Sequence, residues 1–312
     1  MTLALLTGAR AAAAADKYAL VVTGASGGEE YARQFETWRV MFLSTLRETW
    51  SYPDDHIVML AERPGQNVAR ATRENVERAI ADLRKRMTKD DQLLVLLIGH
   101  GSGDGDEARF NLVGPDLRAG EWADLLRAIP GRLVFVDTTA ASAPFLHALA
   151  ARGRVVLTAT DSSAQQFETV FPGFFVKAFG DQAADADKNG RVSVWEAFAF
   201  ASAQTRAWYE QHGRLSTEHA LLDDTGAGAG RQADTPGPDG ELARATYLDL
   251  HNTEVGSAAM SRLLARKAEL EAEVDALRAR KASMKPEDYA AALEKVLIEL
   301  ARVSEEIRAK SN

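Results

Sequence analysis

Apolar residues recur with two different periods in this chain, and the two alternate through its first half. Lys17–Ala25 (KYALVVTGA) is a compact apolar run that predicts a buried strand entering the Gly-rich turn GASGG. Glu29–Trp50 then carries Tyr31, Phe35, Trp38, Phe42 and Leu46 at helical spacing. His56–Ala61 (HIVMLA) predicts a second strand, and Thr72 is placed to cap a helix reaching Met87, with Glu74 and Glu77 in its early turns. Gln92–Ile98 is the most apolar strand. A continuous run, rather than an alternating one, suits a central parallel strand covered on both faces. A helix over Glu121–Ile129, a strand over Leu133–Val136, a helix over Pro144–Ala151 and a strand over Arg154–Ala159 complete the series. Strand–helix alternation predicts a doubly wound α/β sheet with parallel crossovers, whose ligands sit at the carboxyl ends of the strands.

Past residue 180 the pattern changes to helices and polar loops. Residues 223–241 (DDTGAGAGRQADTPGPDGE) are rich in Gly, Pro and Asp and predict a mobile loop. Met260, Leu263, Lys267, Leu270, Val274 and Leu277 step by three and four, with Lys267 the only non-apolar member. Tyr289, Leu293, Val296, Leu300, Val303 and Ile307 do the same after a Ser-Met-Lys-Pro-Glu-Asp break. Pro286 suits a first helical position, and Glu287 and Asp288 suit the positive end of the helix dipole. The expectation is an antiparallel helical hairpin or coiled coil over 256–312, serving internal packing or homo-oligomer formation. The division expected is a tail at 1–15, an α/β domain at 16–180, a helical segment with loop at 181–255, and the hairpin.

Composition narrows the function. A chain of 312 residues with 46% hydrophobic and 26% charged residues can bury a full core. The net charge of −8 argues against nucleic-acid binding, which needs a basic face to replace counterions. No apolar stretch is long enough to span a bilayer. The absence of cysteine excludes disulfides and thiolate metal sites. Residues 1–15 (MTLALLTGARAAAAA) combine a short apolar patch with an alanine run, like the end of a secretion signal with an Ala-x-Ala site at Ala13–Ala15. Arg10 lies on the wrong side of the leucines for a positive leader. Either the start lies upstream or this is a flexible tail. Export to a periplasmic or extracellular location is the expectation taken.

Two strands end in polar punctuation. DQLLVLLIGHGSGDGD delivers His100, Gly101 and Ser102, and GRLVFVDTTAASAPF delivers Asp137–Ser142. A neutral imidazole can take the proton of a neighbouring thiol or hydroxyl, and a following glycine lets a backbone N–H face a developing oxyanion. The order IGHGS … LVFVDTTAAS … VVLTATDSS resembles the caspase-like fold, and within it the legumain-type cysteine peptidases, over residues 17–180. That family carries a His-Gly on one strand and an Ala-Cys-x-Ser type turn on the next. The resemblance implies His100 as the catalytic histidine and Gly101 as its oxyanion-side glycine. It places the missing cysteine at Ala140, with Ser142 following, and a peptide or protein ligand in the strand-end cleft. A metacaspase-like alignment on Asp137-Thr138-Thr139 places it at Thr139 instead. The acidic residue of the legumain pocket corresponds to Thr138, and a pocket arginine loosely to Arg33. Three readings follow. The chain is a pseudo-peptidase kept for binding, or Thr139, Thr138 or Ser142 replaces the cysteine with Asp137 orienting His100, or a cysteine at 140 was replaced by alanine. The pseudo-peptidase is the expectation carried forward.

Residues 185–196 read DADKNGRVSVWE, the twelve-residue EF-hand pattern. Asp185, Asp187 and Asn189 would offer side-chain oxygens, Arg191 its backbone carbonyl, Ser193 a direct or water-mediated ligand, and Glu196 a bidentate carboxylate. Gly190 makes the sharp turn, and Val192 packs inward. Phe174–Ala183 and Val194–Tyr209 are the expected flanking helices. No second full loop exists to pair with it, and LLDDTGAGAG at 221–230 lacks the spacing and a closing Glu. One Ca²⁺ is expected, in a structural role.

Overall fold

The computed structural model describes residues 15–165, 168–250 and 258–311. The export signal expected at 1–15 therefore lies, but for Ala15, outside the described residues. A seven-stranded sheet forms from β1 (Lys17–Thr23), β2 (Ile57–Ala61), β3 (Val68–Arg70), β4 (Gln92–Ile98), β8 (Arg132–Asp137), β9 (Arg154–Thr158) and β10 (Leu221–Asp223). A small antiparallel sheet of β5 (Gly101–Ser102), β6 (Arg109–Phe110) and β7 (Leu117–Arg118) fills the numbering between β4 and β8. The large sheet runs in the order β10-β9-β8-β4-β1-β2-β3, and all its pairs are parallel except β10 on β9.

The continuous apolar run of β4 is explained by what covers it. Leu94, Leu96 and Ile98 point into one core, with Phe35 and Phe42 of α1 (Glu29–Ser44), Phe171 and Phe175 of α5 (Phe171–Ala178), and Phe198 of α6 (Val194–Gln211). Leu93, Val95 and Leu97 point into the other. That core holds Ile80 of α2 (Arg73–Arg86), Trp122 of α3 (Ala119–Leu126) and Phe145 of α4 (Ala143–Leu149). Successive side chains of a strand face opposite ways, so a strand roofed on both sides must be apolar throughout. Thr72 caps α2 as expected, its hydroxyl accepting from the Asn75 N–H at 3.4 Å.

The mixed α/β class and the mostly parallel sheet thus stand. The short strands β3, β5, β6 and β7 and the antiparallel edge β10 were not expected, because segments of two or three residues carry no readable alternation. The expected helix over Glu29–Trp50 ends at Ser44 and continues as a wider turn through Thr45–Thr49, after which Trp50 and Tyr52 are buried.

Residues 223–241 need a correction: the expected mobile loop is tied down. Asp223 accepts from the Gly226 and Gly228 amides, Asp224 from Gly240 and Ala243, and Asp239 from Asp224 and Thr225. The acidic residues that suggested a solvated loop are internal acceptors for its backbone, which is how such a segment satisfies its own polar groups without a ladder. It leads into α7 (Glu241–Arg244).

Helices α8 (Ala258–Arg280) and α9 (Pro286–Ser311) form a separate cluster through Leu264, Leu270, Val274, Leu277, Val296, Val303 and Ile307. The Arg266–Glu299 pair at 2.6 Å bridges the two helices. Lys267, the odd member of the apolar stripe, is only 3% exposed. No helix among the described residues is long and apolar enough to cross a membrane.

Candidate functional site

Sheet topology puts His100 at a special place. β1 leads to β2 on one side while β4 leads to β8 on the other, so the strand order reverses between β1 and β4. In doubly wound sheets this switch point, at the carboxyl ends of the strands, is where ligands bind. His100 lies two residues past the end of β4, and its Nε2 lies 3.0 Å from the carbonyl of Ser26, beyond the end of β1. In the neutral ring that contact requires the proton on Nε2 and leaves Nδ1 as the acceptor. Tyr31 and Phe35 of α1 set their rings edge-on to the imidazole, with centroids 4.9 and 5.1 Å away. Arg33, on the same helix, is exposed.

β4 and β8 are hydrogen-bonded neighbours with Leu97 opposite Asp137, so the His-Gly turn and the Asp137–Ser142 turn emerge side by side. Gly101 touches the second turn closely. A Cβ there would lie 2.0 Å from the Ala140 carbonyl oxygen and 2.5 Å from Thr139 Oγ1. Ala141 takes a left-handed conformation at φ 53°, which turns the chain, and its N–H donates to the Gln165 carbonyl.

The hydroxyls of this turn are committed elsewhere. Thr138 Oγ1 donates to the Leu97 carbonyl at 2.7 Å, and Thr139 Oγ1 to the Ala140 carbonyl at 3.0 Å. Ser142 Oγ lies 3.0 Å from Thr160 Oγ1 and accepts from the Thr160 N–H. All three residues are fully buried, and Ala140 nearly so. Asp137 is buried too. One carboxylate oxygen accepts from the Thr139 N–H, the other has no hydrogen-bond partner, and burial pushes the group up to about 7 against the pull of the Thr139 bonds. Asp137 is thus bonded to its own turn rather than placed as an orienting acid behind the His100 ring.

The second cluster lies beyond the sheet, in the loop before α6. Oxygen atoms of Asp185, Asp187 and Glu196 all come within 4.8 Å of one another. Gly190 and Lys188 adopt left-handed conformations at φ 84° and 56°, which curl the loop. Its amides point inward: Asn189 N–H to Asp185 and Asp187, Gly190 N–H to Asp185, Arg191 N–H to the Asn189 side-chain oxygen. Ser193 and Glu196 form a reciprocal capping box that starts α6. Glu196 also accepts from the Ala186 and Asp187 amides. Burial pushes Glu196 up to about 7; the Ser193 hydrogen bonds oppose this, and the Asp185 and Glu271 carboxylates add to it.

Other parts of the chain complete this cluster, and sequence reasoning missed most of them. The segment Thr246–Asp249 lies alongside the loop: Ser193 bridges Tyr247 in antiparallel fashion and Val194 N–H donates to the Thr246 carbonyl. That segment is held beneath the sheet by Lys17, Gln92 and Tyr52, which donate to the carbonyls of Tyr247 and Leu248. Arg191 turns its guanidinium out of the loop, pairing with Asp249 at 2.6 Å and stacking 4.0 Å above the Tyr247 ring. Lys267 of α8 forms an ion pair with Asp187, sits 3.6 Å from Glu271, and has Tyr247 Oη at 3.4 Å. Burial lowers its pKa, opposed by Glu271. Its interruption of an apolar stripe was the one sequence signal that could have revealed it. Glu218, buried and accepting from Val170, Phe171 and Tyr209, gave no such signal, because its partners at the start of α5 are distant in sequence.

No family model and no curated protein matches the sequence. Among solved structures, a structural-genomics protein from Geobacter sulfurreducens gives a TM-score of 0.44 at 14% identity, covering 67% of this chain and 92% of that one. Raptor from Chaetomium thermophilum gives 0.38 at 10% identity, covering 64% of this chain and 20% of that one. At scores this low neither likeness carries an argument about fold or function.

Proposed function

We propose that the chain is a calcium-binding scaffold with the architecture of a legumain-like, caspase-like peptidase and without its proteolysis. The observation that carries the inactive half is the β4–β8 adjacency. The His-Gly turn abuts a turn that offers an alanine where the resemblance requires a nucleophile, and its three hydroxyls are spent on the Leu97 and Ala140 carbonyls and on Thr160. An alcohol needs a well-aligned base to become a nucleophile, and here each already has another partner. The cleft is then a place for a peptide or protein ligand to bind uncut.

The calcium half rests on the twelve-residue pattern together with the convergence of Asp185, Asp187 and Glu196. These residues fit a hard cation, which prefers oxygen donors from carboxylates, amides and backbone carbonyls. Asn189 and Ser193 add neutral oxygens, and the Arg191 side chain is kept out by Asp249. Bound calcium would neutralise the gathered carboxylates and tie the start of α6 to the loop. No second loop is needed to brace the site in this reading, since Thr246–Asp249 runs where a partner could lie.

Two experiments test the reading. Calorimetry with millimolar Ca²⁺ is expected to show a single binding event, lost in Glu196→Gln. Fluorogenic peptides ending in Asn, Asp or Arg are expected to remain intact with the parent chain. Cleavage by the parent that disappears in His100→Ala overturns the inactive assignment, and an Ala140→Cys variant run alongside asks whether the thiol alone restores cutting.

A further inference from the structure

The acidic loop already holds a positive charge, delivered from the C-terminal hairpin. Lys267 is 3% exposed and its ammonium is paired with Asp187, one of the three converging carboxylates. Long ammonium side chains ordinarily lead their heads to water. This one is led inward, and nothing in the α8–α9 packing itself demands a charge at that position.

Lys267 belongs to a stripe. Glu271 and Asp275 follow at intervals of four, on the same face of α8. Glu271 pairs with Arg244 at 3.3 Å, while Asp275 pairs with Arg244 at 2.7 Å and Arg231 at 3.5 Å. Both arginines stack on the ring of Trp195, at 4.0 and 4.4 Å, and Trp195 directly precedes Glu196. The hairpin therefore docks on the body by ion pairs that share one wall with the acidic loop.

A divalent cation held by Asp185, Asp187 and Glu196 would draw on the same Asp187 carboxylate whose Oδ2 the ammonium contacts. Two positive charges a few ångströms apart in a partly buried site repel each other more strongly than they would in water, because the surroundings screen them less. We propose that Lys267 is a tethered cation that fills the loop in the metal-free protein, so that Ca²⁺ and the docked hairpin compete for Asp187. Linkage makes the effect reciprocal: the docked hairpin weakens Ca²⁺ binding, and Ca²⁺ loosens the hairpin. This rests on the calcium reading above and adds its regulation.

The test compares Ca²⁺ titration of the full chain with that of Lys267→Met, which keeps the stem and removes the charge. The variant is expected to bind at least about tenfold more tightly, and binding confined to the variant is the extreme form of the same result. Equal affinities in the two proteins overturn the competition while leaving the calcium site standing. No binding in either overturns both. Should Lys267→Met fail to fold by circular dichroism, amide hydrogen exchange of the parent decides. Faster exchange along α8 in 10 mM Ca²⁺ than in 10 mM Mg²⁺ supports the proposal, and equal exchange overturns it.

Discussion

The strand-end turn and the acidic loop are both crowded with polar side chains, yet they balance them in opposite ways. In the turn, Thr138, Thr139 and Ser142 find neutral partners within a few residues or on the adjoining strand, and the group left short is one oxygen of Asp137. In the loop, Asp185, Asp187 and Glu196 take up their own backbone amides and still present surplus negative charge, which Lys267 meets from a distant helix. A region whose hydrogen bonds close internally is a structural joint. A region whose charge closes only with help from outside is one where a cation can act. The His-Gly and Asp-Thr-Thr motifs direct attention to the first region, but the second has the chemistry left open.

The largest expected effect breaks or confirms the closed character of the turn. Asp137 has a raised pKa in the fold, so its carboxyl is held protonated up to about pH 7, whereas in the unfolded chain it ionises near its ordinary value of 3.8. The native state binds the extra proton between these limits. The contribution of this group to stability is therefore fully present below about pH 4 and is lost as pH rises to about 7, by roughly 1.4 kcal/mol per unit, up to about 4 kcal/mol. Asp137→Asn is expected to remove that fall. Urea unfolding of both proteins at pH 4.5 and pH 8 isolates the effect from the other carboxylates, and parallel pH curves for the two would contradict it. Next, Gly101→Ala forces a methyl into the Ala140 carbonyl. It is expected to cost about 3 kcal/mol, and a loss under 1 kcal/mol in the same assay would show that the two turns are not locked together.

Smaller effects sharpen the contrast. Ser142→Ala strips Thr160 of a partner for its buried N–H, for an expected loss of about 2 kcal/mol, indifferent to Ca²⁺. Glu196→Gln keeps most of the capping box and is expected to lose about 1 kcal/mol without metal. The discriminating readout is the melting temperature. Added Ca²⁺ should raise it in the parent and in Ser142→Ala, and leave it unmoved in Glu196→Gln. A Ca²⁺ shift surviving in Glu196→Gln would separate the metal from this loop.

Much of this was legible in the sequence, for local reasons. The boundaries of β4 and the cap of α2 follow from apolar period and from a Thr placed one residue before the helix, both of which act within a few residues. The parallel character of the sheet follows from strand–helix alternation. The acidic loop is also local, because its curl, its capping box and its carboxylates lie within twelve consecutive residues. The ordering of the Asp-rich stretch at 223–241 is not legible in this way, since whether Asp223, Asp224 and Asp239 face water or backbone amides is not a matter of composition.

The sequence by itself determined the long strands and the helices between them, the parallel character of the sheet, the absence of a thiol at the turn, and the loop that gathers carboxylates. Tertiary structure alone decided what those groups meet. It chose the antiparallel edge strand β10, gave each hydroxyl of the 137–142 turn its acceptor, ran Thr246–Asp249 beside the acidic loop, and brought Lys267 from the hairpin to Asp187. The physical reason is range. Periodicity and capping act over a turn or two of chain, whereas the partner of a buried charge is selected by the whole packed fold, which must satisfy that charge wherever the counter-ion lies in the sequence.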